Sequence, residues 1–344
     1  MAIYSLMQNK KILIFGGSGS LGKTLISRLY KHNDVLIYSR DEAKHWTIKN
    51  TFNSINLSFS VGDIRDFSRI KEILFQFQPN IIIMASALKQ VDTCELSPNE
   101  SIQTNVIGID NIVRAVEENI NNLPELESVL MVSTDKACAP VNVYGMCKAI
   151  SERTVTARSR FDHLGGVNFL CVRYGNVLDS RGSILPLFRH QVKTQDFITV
   201  THPDMTRFLM TLDESVDLIL TTLKTAKSGE TWIPVLKSMR ILDLAKIYAD
   251  MYGKDIQISG IRPGEKLHEA LVSECESTRA KMINDHHVLE PSYSSQINDN
   301  IFSYTSEDST MSEVELKDYL VELDLLDRDP EDFIGKTIEE QKRH

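Results

Sequence analysis

The chain has 344 residues, 42% of them hydrophobic, enough for one large domain or a domain with a smaller partner around an ordinary core. A formal net charge of −9 excludes a generic nucleic-acid binder, whose affinity rests on excess Lys and Arg, so any polyanionic ligand must meet a local basic cluster. Five cysteines without Cys-x-x-Cys spacing argue against a disulfide framework or zinc site, and no apolar run approaches a membrane span; a soluble cytoplasmic protein without a metal or membrane insertion is expected.

In chain order, Lys11–Phe15 reads as a short buried strand that breaks at Gly16-Gly17-Ser18-Gly19-Ser20-Leu21-Gly22, after which Leu25, Ile26 and Leu29 return at helical spacing. Strand, glycine turn and helix form the dinucleotide-binding context. The glycines permit a tight turn, backbone N–H groups and the helix dipole meet a pyrophosphate, and the last glycine lets helix and strand pack closely. Gly16, Ser18, Gly19, Ser20, Leu21 and Gly22 are therefore candidate cofactor contacts. The second strand, Val35–Tyr38, ends in Ser39-Arg40 where an NAD-binding strand ends in an acid. Ser39 and Arg40 suit a 2′-phosphate and point to NADP; the adjacent Asp41 keeps NAD open, and Arg40 also reads as a surface residue opening the next helix. The third strand, Leu57–Val61, delivers Gly62-Asp63-Ile64, where Asp63 is expected to accept from an adenine amino group, and Asp66 to cap the following helix.

Residues 80–85 form a continuous apolar run of the kind that suits a parallel strand covered on both faces. Ala85, Ser86 and Ala87 are small enough for a nicotinamide to lie against the backbone, and Lys89 follows within reach of phosphate or ribose. Ser97 or Asn99 begins a long helix carrying Asn105, a further candidate cofactor contact. The alternation of strand and helix predicts an α/β fold with right-handed crossovers and a doubly wound, parallel Rossmann sheet. A central strand, Ser128–Ser133, then ends in Thr134-Asp135-Lys136, which places a hydroxyl, a carboxylate and an amine together. If Asn142 caps a helix running towards Ala157, Tyr144 and Lys148 share one helix face and look back at that strand end. An ammonium beside a phenol stabilises the phenolate, so Tyr144 is expected to have a lowered pKa and to take a hydroxyl proton near neutral pH. The same Tyr/Lys spacing also occurs on solvated helices; its weight comes from the residues that precede it.

A sixth strand, Asn168–Tyr174, delivers Gly175-Asn176-Val177, and beyond it the pattern loosens into a smaller mixed α/β C-terminal region. Polar or basic turns at Arg181-Gly182-Ser183, Met205–Phe208 and Ile261–Lys266 offer arginines that either converge on a diphosphate or form structural ion pairs with some of the 47 acidic residues. A last helix is predicted over Ser312–Leu323.

Taken together these motifs resemble the extended short-chain dehydrogenase/reductases and, more narrowly, the soluble UDP-N-acetylglucosamine 4,6-dehydratases that invert C5. The narrower resemblance rests on Tyr38–Glu42, Gly62–Asp66, Ala87–Lys89, Ser133–Ala137, Arg173–Val177, Met205–Phe208 and Ile261–Glu269, and spans roughly residues 8 to 290. Ser86 stands where the family usually has Ala, Gln90 where it has His, and Cys138 replaces a small residue. The resemblance implies an NADP-binding domain over 8–180, its sheet completed by later segments, a mainly UDP-sugar-binding region over 181–290, and a C-terminal extension over 291–344. It implies that Tyr144, assisted by Lys148, takes the C4 hydroxyl proton while Thr134 bonds the C4 oxygen. Lys136 then removes the C5 proton and Asp135 protonates the leaving C6 hydroxyl. A basic Lys136 must be partly neutral, which requires burial or a nearby positive charge. Lys136 stands where retaining enzymes carry Glu, which implies inversion at C5. By the same resemblance Lys89, Tyr174, Gly175, Asn176, Arg181, Ser183, Arg207, Arg262 and Glu265 line the pocket of a UDP-N-acetylhexosamine, and the protein is a homo-oligomer, a dimer or hexamer. A UDP-sugar 4-epimerase is the nearest alternative, since it uses Tyr144 and Lys148 but has no task for Asp135-Lys136. A non-catalytic dinucleotide-binding scaffold is the alternative of another class.

Overall fold

The structure, a computed structural model, describes residues 7–178, 183–294 and 299–326. Strands β1 (Lys11–Phe15), β2 (Asp34–Ser39), β3 (Leu57–Val61), β4 (Ile81–Met84), β5 (Ser128–Val132) and β6 (Asn168–Val172) coincide, within a residue or two, with the six predicted strands. Three later strands return to the same sheet. β7 (Thr231–Pro234) runs parallel to β6, and the hairpin of β8 (Ala280–Ile283) and β9 (His286–Leu289) closes that edge antiparallel. The order across the sheet is β8-β9-β7-β6-β5-β4-β1-β2-β3.

Alternation along β1 shows why the sheet is covered on both faces. Ile12 and Ile14 join one core with Leu25 and Ile26 of the Ser20–Leu29 helix. Leu13 and Phe15 join another, with Ile70, Ile73 and Leu74 of the Phe67–Phe77 helix and Ile109, Ile112 and Val113 of the Gly108–Asn119 helix. All four residues of β4 are buried, which explains the unbroken apolar run. The fold is thus α/β with a large, mostly parallel Rossmann-like sheet. A third core unites the helices Ile184–Thr194, Ile241–Tyr252 and Glu313–Glu322 through Leu185, Phe188, Leu244, Tyr248 and Leu316.

Two local choices set up the site. Strand order reverses at β1, so the carboxyl ends of β1 and β4 diverge around a crevice. Two later stretches then meet beside it: Ala270–Val272 pairs with Tyr304–Thr305, and the Ser306 N–H donates to the Glu269 carbonyl at 2.8 Å.

Candidate active site

A cavity of about 990 Å³ lies over the carboxyl ends of the central strands. Its cofactor half begins at the glycine turn. A side chain at Gly22 would meet the Gly17 carbonyl oxygen at 2.2 Å, so only glycine lets the helix start this close to β1. The Ser20–Leu29 helix has no side-chain cap and no acid in its first turn, which leaves its leading N–H groups available to a phosphate. Gly16, Ser18, Gly19, Ser20 and Leu21 line this end of the cavity with Gly22. These features fit a dinucleotide.

Ser39 and Arg40 reach the cavity at the end of β2, joined by Lys44. Asp41, the acid next to them, is consumed in its own helix: it accepts from the Lys44 N–H at 3.1 Å and pairs with the Lys44 ammonium at 2.7 Å. Asp63 and Ile64 also line the cavity, although the Asp63 carboxylate is already held by Arg65 at 2.8 and 3.0 Å and lies 3.7 Å from Arg40. Ala85, Ser86, Ala87 and Lys89 follow along the wall.

Asn105 departs from expectation. It is fully buried and does not line the cavity; its amide accepts from the Leu88 N–H and donates to the Leu88 carbonyl, both at 2.8 Å. The cause is a π-helical turn, Ile102–Ile107, which rotates Asn105 onto the 85–89 loop. It shapes the wall from behind.

The reacting end gathers Thr134, Asp135, Lys136, Tyr144 and Lys148 as predicted. Asn142 caps the Val143–Thr156 helix, its Oδ1 accepting from the Gly145 N–H at 2.8 Å. Gly145 is needed because a side chain there would meet the Lys136 carbonyl oxygen at 2.1 Å, so the helix and the Asp135–Ala137 turn touch.

The electrostatics correct two expectations. Burial pushes the Tyr144 phenol up to about 12, and the cation that opposes this is Lys136. Lys148 instead donates to the Val132 carbonyl at 2.6 Å, and burial pushes it down to about 8. Lys136 is not drawn towards neutrality. Its ammonium sits 3.1 Å from Asp135 and 3.2 Å from Glu269, and although burial lowers its pKa, these two carboxylates outweigh that and hold it charged. Asp135 is 1% exposed, and burial raises its pKa against the pull of Lys136, which favours the acid form.

Glu269 is the residue that sequence reasoning missed. It belongs to the Ile261–Glu269 stretch, from which only Arg262 and Glu265 were carried into the pocket, and no local pattern places it against Lys136. Its carboxylate is buried, lines the cavity, and is held in its ionised form by Lys136, Arg207 and Lys266 against the penalty of burial.

Tyr174, Gly175, Asn176 and Ser183 line the substrate end. The Asn176 Oδ1 and Ser183 Oγ are buried without a hydrogen-bond partner among the described residues, the state expected of atoms that a ligand satisfies. Arg262 and Glu265 stand at the same end, paired with each other and, through Arg262, with Asp92 at 3.5 Å. Arg207 lines the cavity but is no free diphosphate clamp: its guanidinium donates to the Thr206, Leu267 and Lys266 carbonyls and lies 4.0 Å from Glu269. Arg181 falls outside the described residues.

Comparison with known proteins agrees with this geometry. The profile of a family described as polysaccharide biosynthesis protein matches residues 12–291. A Rickettsia rickettsii protein named UDP-glucose 4-epimerase is 39% identical over 288 residues, 81% of this chain and 82% of its own. The X-ray structure of Pen from Bacillus thuringiensis superposes with a TM-score of 0.85 at 30% identity, covering 93% of this chain and 99% of that one. DesIV of Streptomyces venezuelae, a dTDP-glucose 4,6-dehydratase with NAD and TYD bound, shares the fold at a TM-score of 0.65 and 20% identity, covering 75% and 86%. The chain therefore belongs to the polysaccharide biosynthesis protein family; a protein named UDP-glucose 4-epimerase is among its relatives, and a dTDP-glucose 4,6-dehydratase shares its fold.

Proposed function

We propose that the protein is an NADP-dependent UDP-N-acetylglucosamine 4,6-dehydratase that inverts C5 and makes a 2-acetamido-2,6-dideoxy-4-ketosugar nucleotide for surface glycan synthesis. The observation that carries this reading is the buried cluster of Asp135, Lys136 and Glu269 in the same cavity as Tyr144 and Lys148. A 4-epimerase needs a proton acceptor at C4 and nothing more; it has no use for acid and base groups at C5 and C6. Some relatives nevertheless carry the epimerase name, so that activity is the second reading.

In the proposed reaction Tyr144 takes the C4 hydroxyl proton, and Thr134, whose hydroxyl now donates to Asp135 at 2.8 Å, turns to the C4 oxygen. The dinucleotide, when bound, supplies the hydride acceptor and donor. A charge beside the phenol is required before it can act as a base, and Lys136 is the cation that opposes burial there. The 4-ketone acidifies C5–H, and Asp135, whose acid form burial favours, delivers its proton to the departing C6 hydroxyl. NADP is preferred to NAD because Arg40 and Lys44 flank the end of β2 while Asp41 is occupied by Lys44. Asn176, Ser183 and Arg262 are the proposed contacts for the nucleotide sugar.

Among the described residues no helix is long and apolar enough to cross a membrane. We place the protein in the cytoplasm, where its free cysteines stay reduced. Met146 and Ile150, one turn apart on the Val143–Thr156 helix, remain about half exposed beside Ile102 and Ile107, an apolar face suited to a homo-oligomer. Mass spectrometry of UDP-N-acetylglucosamine incubated with the purified holoenzyme tests the assignment: loss of one water supports it, and an isomer of unchanged mass favours the epimerase.

A further inference from the structure

We propose that Glu269 is a catalytic residue whose carboxylate accepts the C5 proton of the ketosugar, while the Lys136 ammonium in contact with it holds that carboxylate in its ionised form. This inference rests on the dehydratase reading above.

Glu269 has the position and the open valence for such a role. Its side chain is 4% exposed yet lines the cavity with Asp135, Lys136 and Tyr144. Oε1 lies 3.2 Å from the Lys136 ammonium, whereas Oε2 has no hydrogen-bond partner among the described residues; its cation neighbour, Lys266, stands 3.9 Å away. A buried carboxylate oxygen without a partner is costly, and a group entering the cavity relieves that cost. The backbone around it is pinned in both directions: the Glu269 N–H donates to Ser306 Oγ at 3.0 Å, and the Ser306 N–H donates to the Glu269 carbonyl at 2.8 Å. The segment beyond residue 299 thereby fixes where the carboxylate stands.

Charge divides the roles. Lys136 is held as an ammonium by the ionised Glu269 carboxylate and donates to Asp135 at 3.1 Å, so it is not a base in the resting site. Asp135 is the acid for the C6 hydroxyl. The ionised carboxylate of the cluster is Glu269, with Lys136, Arg207 and Lys266 around it. Inversion requires that the C5 proton leave from one face and return to the other. Glu269 and Lys136, in contact at 3.2 Å, serve one face, so Glu269 removes the proton and the returning one comes from solvent on the other face.

The step balances. The C5–H bond breaks and its proton goes to Glu269; the electron pair becomes the C5–C6 double bond; the C6–O bond breaks, and the hydroxyl leaves as water with the Asp135 proton. Hydride returns to C6 from the reduced dinucleotide, C5 takes a proton from solvent on its other face, and Glu269 releases its proton to solvent. The proton that Tyr144 took from the C4 hydroxyl replaces the one Asp135 gave up, so the sum is loss of water.

The test compares holoenzyme carrying E269Q or E269D with wild type on UDP-N-acetylglucosamine in heavy water, following reduced-nicotinamide absorbance, product mass and deuterium at C5. The expected result is that E269Q still forms reduced cofactor but loses dehydration and C5 labelling by about a hundredfold or more, with partial recovery in E269D. A Glu269 that serves only as an ion-pair partner predicts the opposite sign, because its removal takes a negative charge from Lys136 and eases that lysine towards the neutral form. Dehydration by E269Q at or above the wild-type rate therefore overturns the assignment. So does loss of cofactor reduction and dehydration together in both variants, which makes Glu269 structural. Failure of wild type to dehydrate at all overturns the underlying dehydratase reading instead.

Discussion

Replacing Arg173 with Met tests whether the buried ion network behind the site holds its two halves together. Arg173 is 1% exposed, and each of its guanidinium N–H groups is used. It bonds Glu152 on the Tyr144 helix at 3.0 and 2.6 Å, Glu276 at 2.9 and 2.8 Å, and the Leu271 carbonyl at 2.9 Å. Met keeps much of the volume but strands Glu152 without either contact. Glu276 retains Arg279 at 3.5 Å and the Cys138 thiol at 3.3 Å. Breaking a buried pair costs about 3–5 kcal/mol, and the partners left to Glu276 place this case near the lower end, about 3 kcal/mol. The pH dependence gives a second check. Arg173 is the main cation opposing burial at Glu276, and together with its neighbours it holds that carboxyl down at about 2 against an ordinary 4.5. A depressed carboxylate contributes stability in full above its unfolded pKa and loses it as pH falls through the folded value, here about 3 kcal/mol between roughly pH 4.5 and 2. Urea unfolding at neutral pH should show R173M about 3 kcal/mol less stable at unchanged slope, with the gap closing as pH is lowered through that window. A loss below about 1 kcal/mol, or a gap indifferent to acid, would refute the reasoning.

Tyr144→Phe should abolish both cofactor reduction and turnover, whereas Asp135→Asn should stop dehydration while still permitting transient reduced cofactor, as absorbance and product mass will report. Arg40→Ala should weaken NADP binding by about tenfold or more while leaving NAD nearly unchanged, measured by titration calorimetry, because a charge-assisted bond to the 2′-phosphate is worth about 1.5–3 kcal/mol. Lys148→Met should be inactive yet raise Tm at neutral pH. The buried ammonium, pushed from 10.5 down to about 8, penalises the wild-type fold below about pH 8, and the variant's advantage should vanish as pH rises towards 10.5.

Much of the fold was legible because its signals are local. The run Lys11–Phe15 followed by a glycine turn, the apolar stretch at 80–85 and the Asn142 cap each carry their structure in a few neighbouring residues, and each forms as read. The Tyr144/Lys148 spacing likewise brings both side chains into one cavity. What local reading could not supply was the sign of the electrostatics. Whether Lys136 is acid or base depends on Glu269, a residue far along the chain that meets it where Ala270–Val272 packs beside the Asp135–Ala137 turn. Asn105 was misread because a π-turn changes which way a helix residue faces; Arg207 lines the cavity as expected, but its guanidinium also satisfies backbone carbonyls that no sequence pattern reveals. The edge strands β7 to β9 were expected only as later segments completing the sheet, without their positions; β8 and β9 are short, and they hold to the sheet by pairing with one another and with β7.

The most direct test of the central claim is proton NMR of the first product formed from UDP-N-acetylglucosamine in heavy water, taken before spontaneous epimerisation intervenes. The account predicts a 6-deoxy-4-ketosugar with deuterium at C5 and ring couplings of the L-arabino series. A first product that retains the D configuration would contradict inversion, and one that keeps its C6 hydroxyl would contradict dehydration itself.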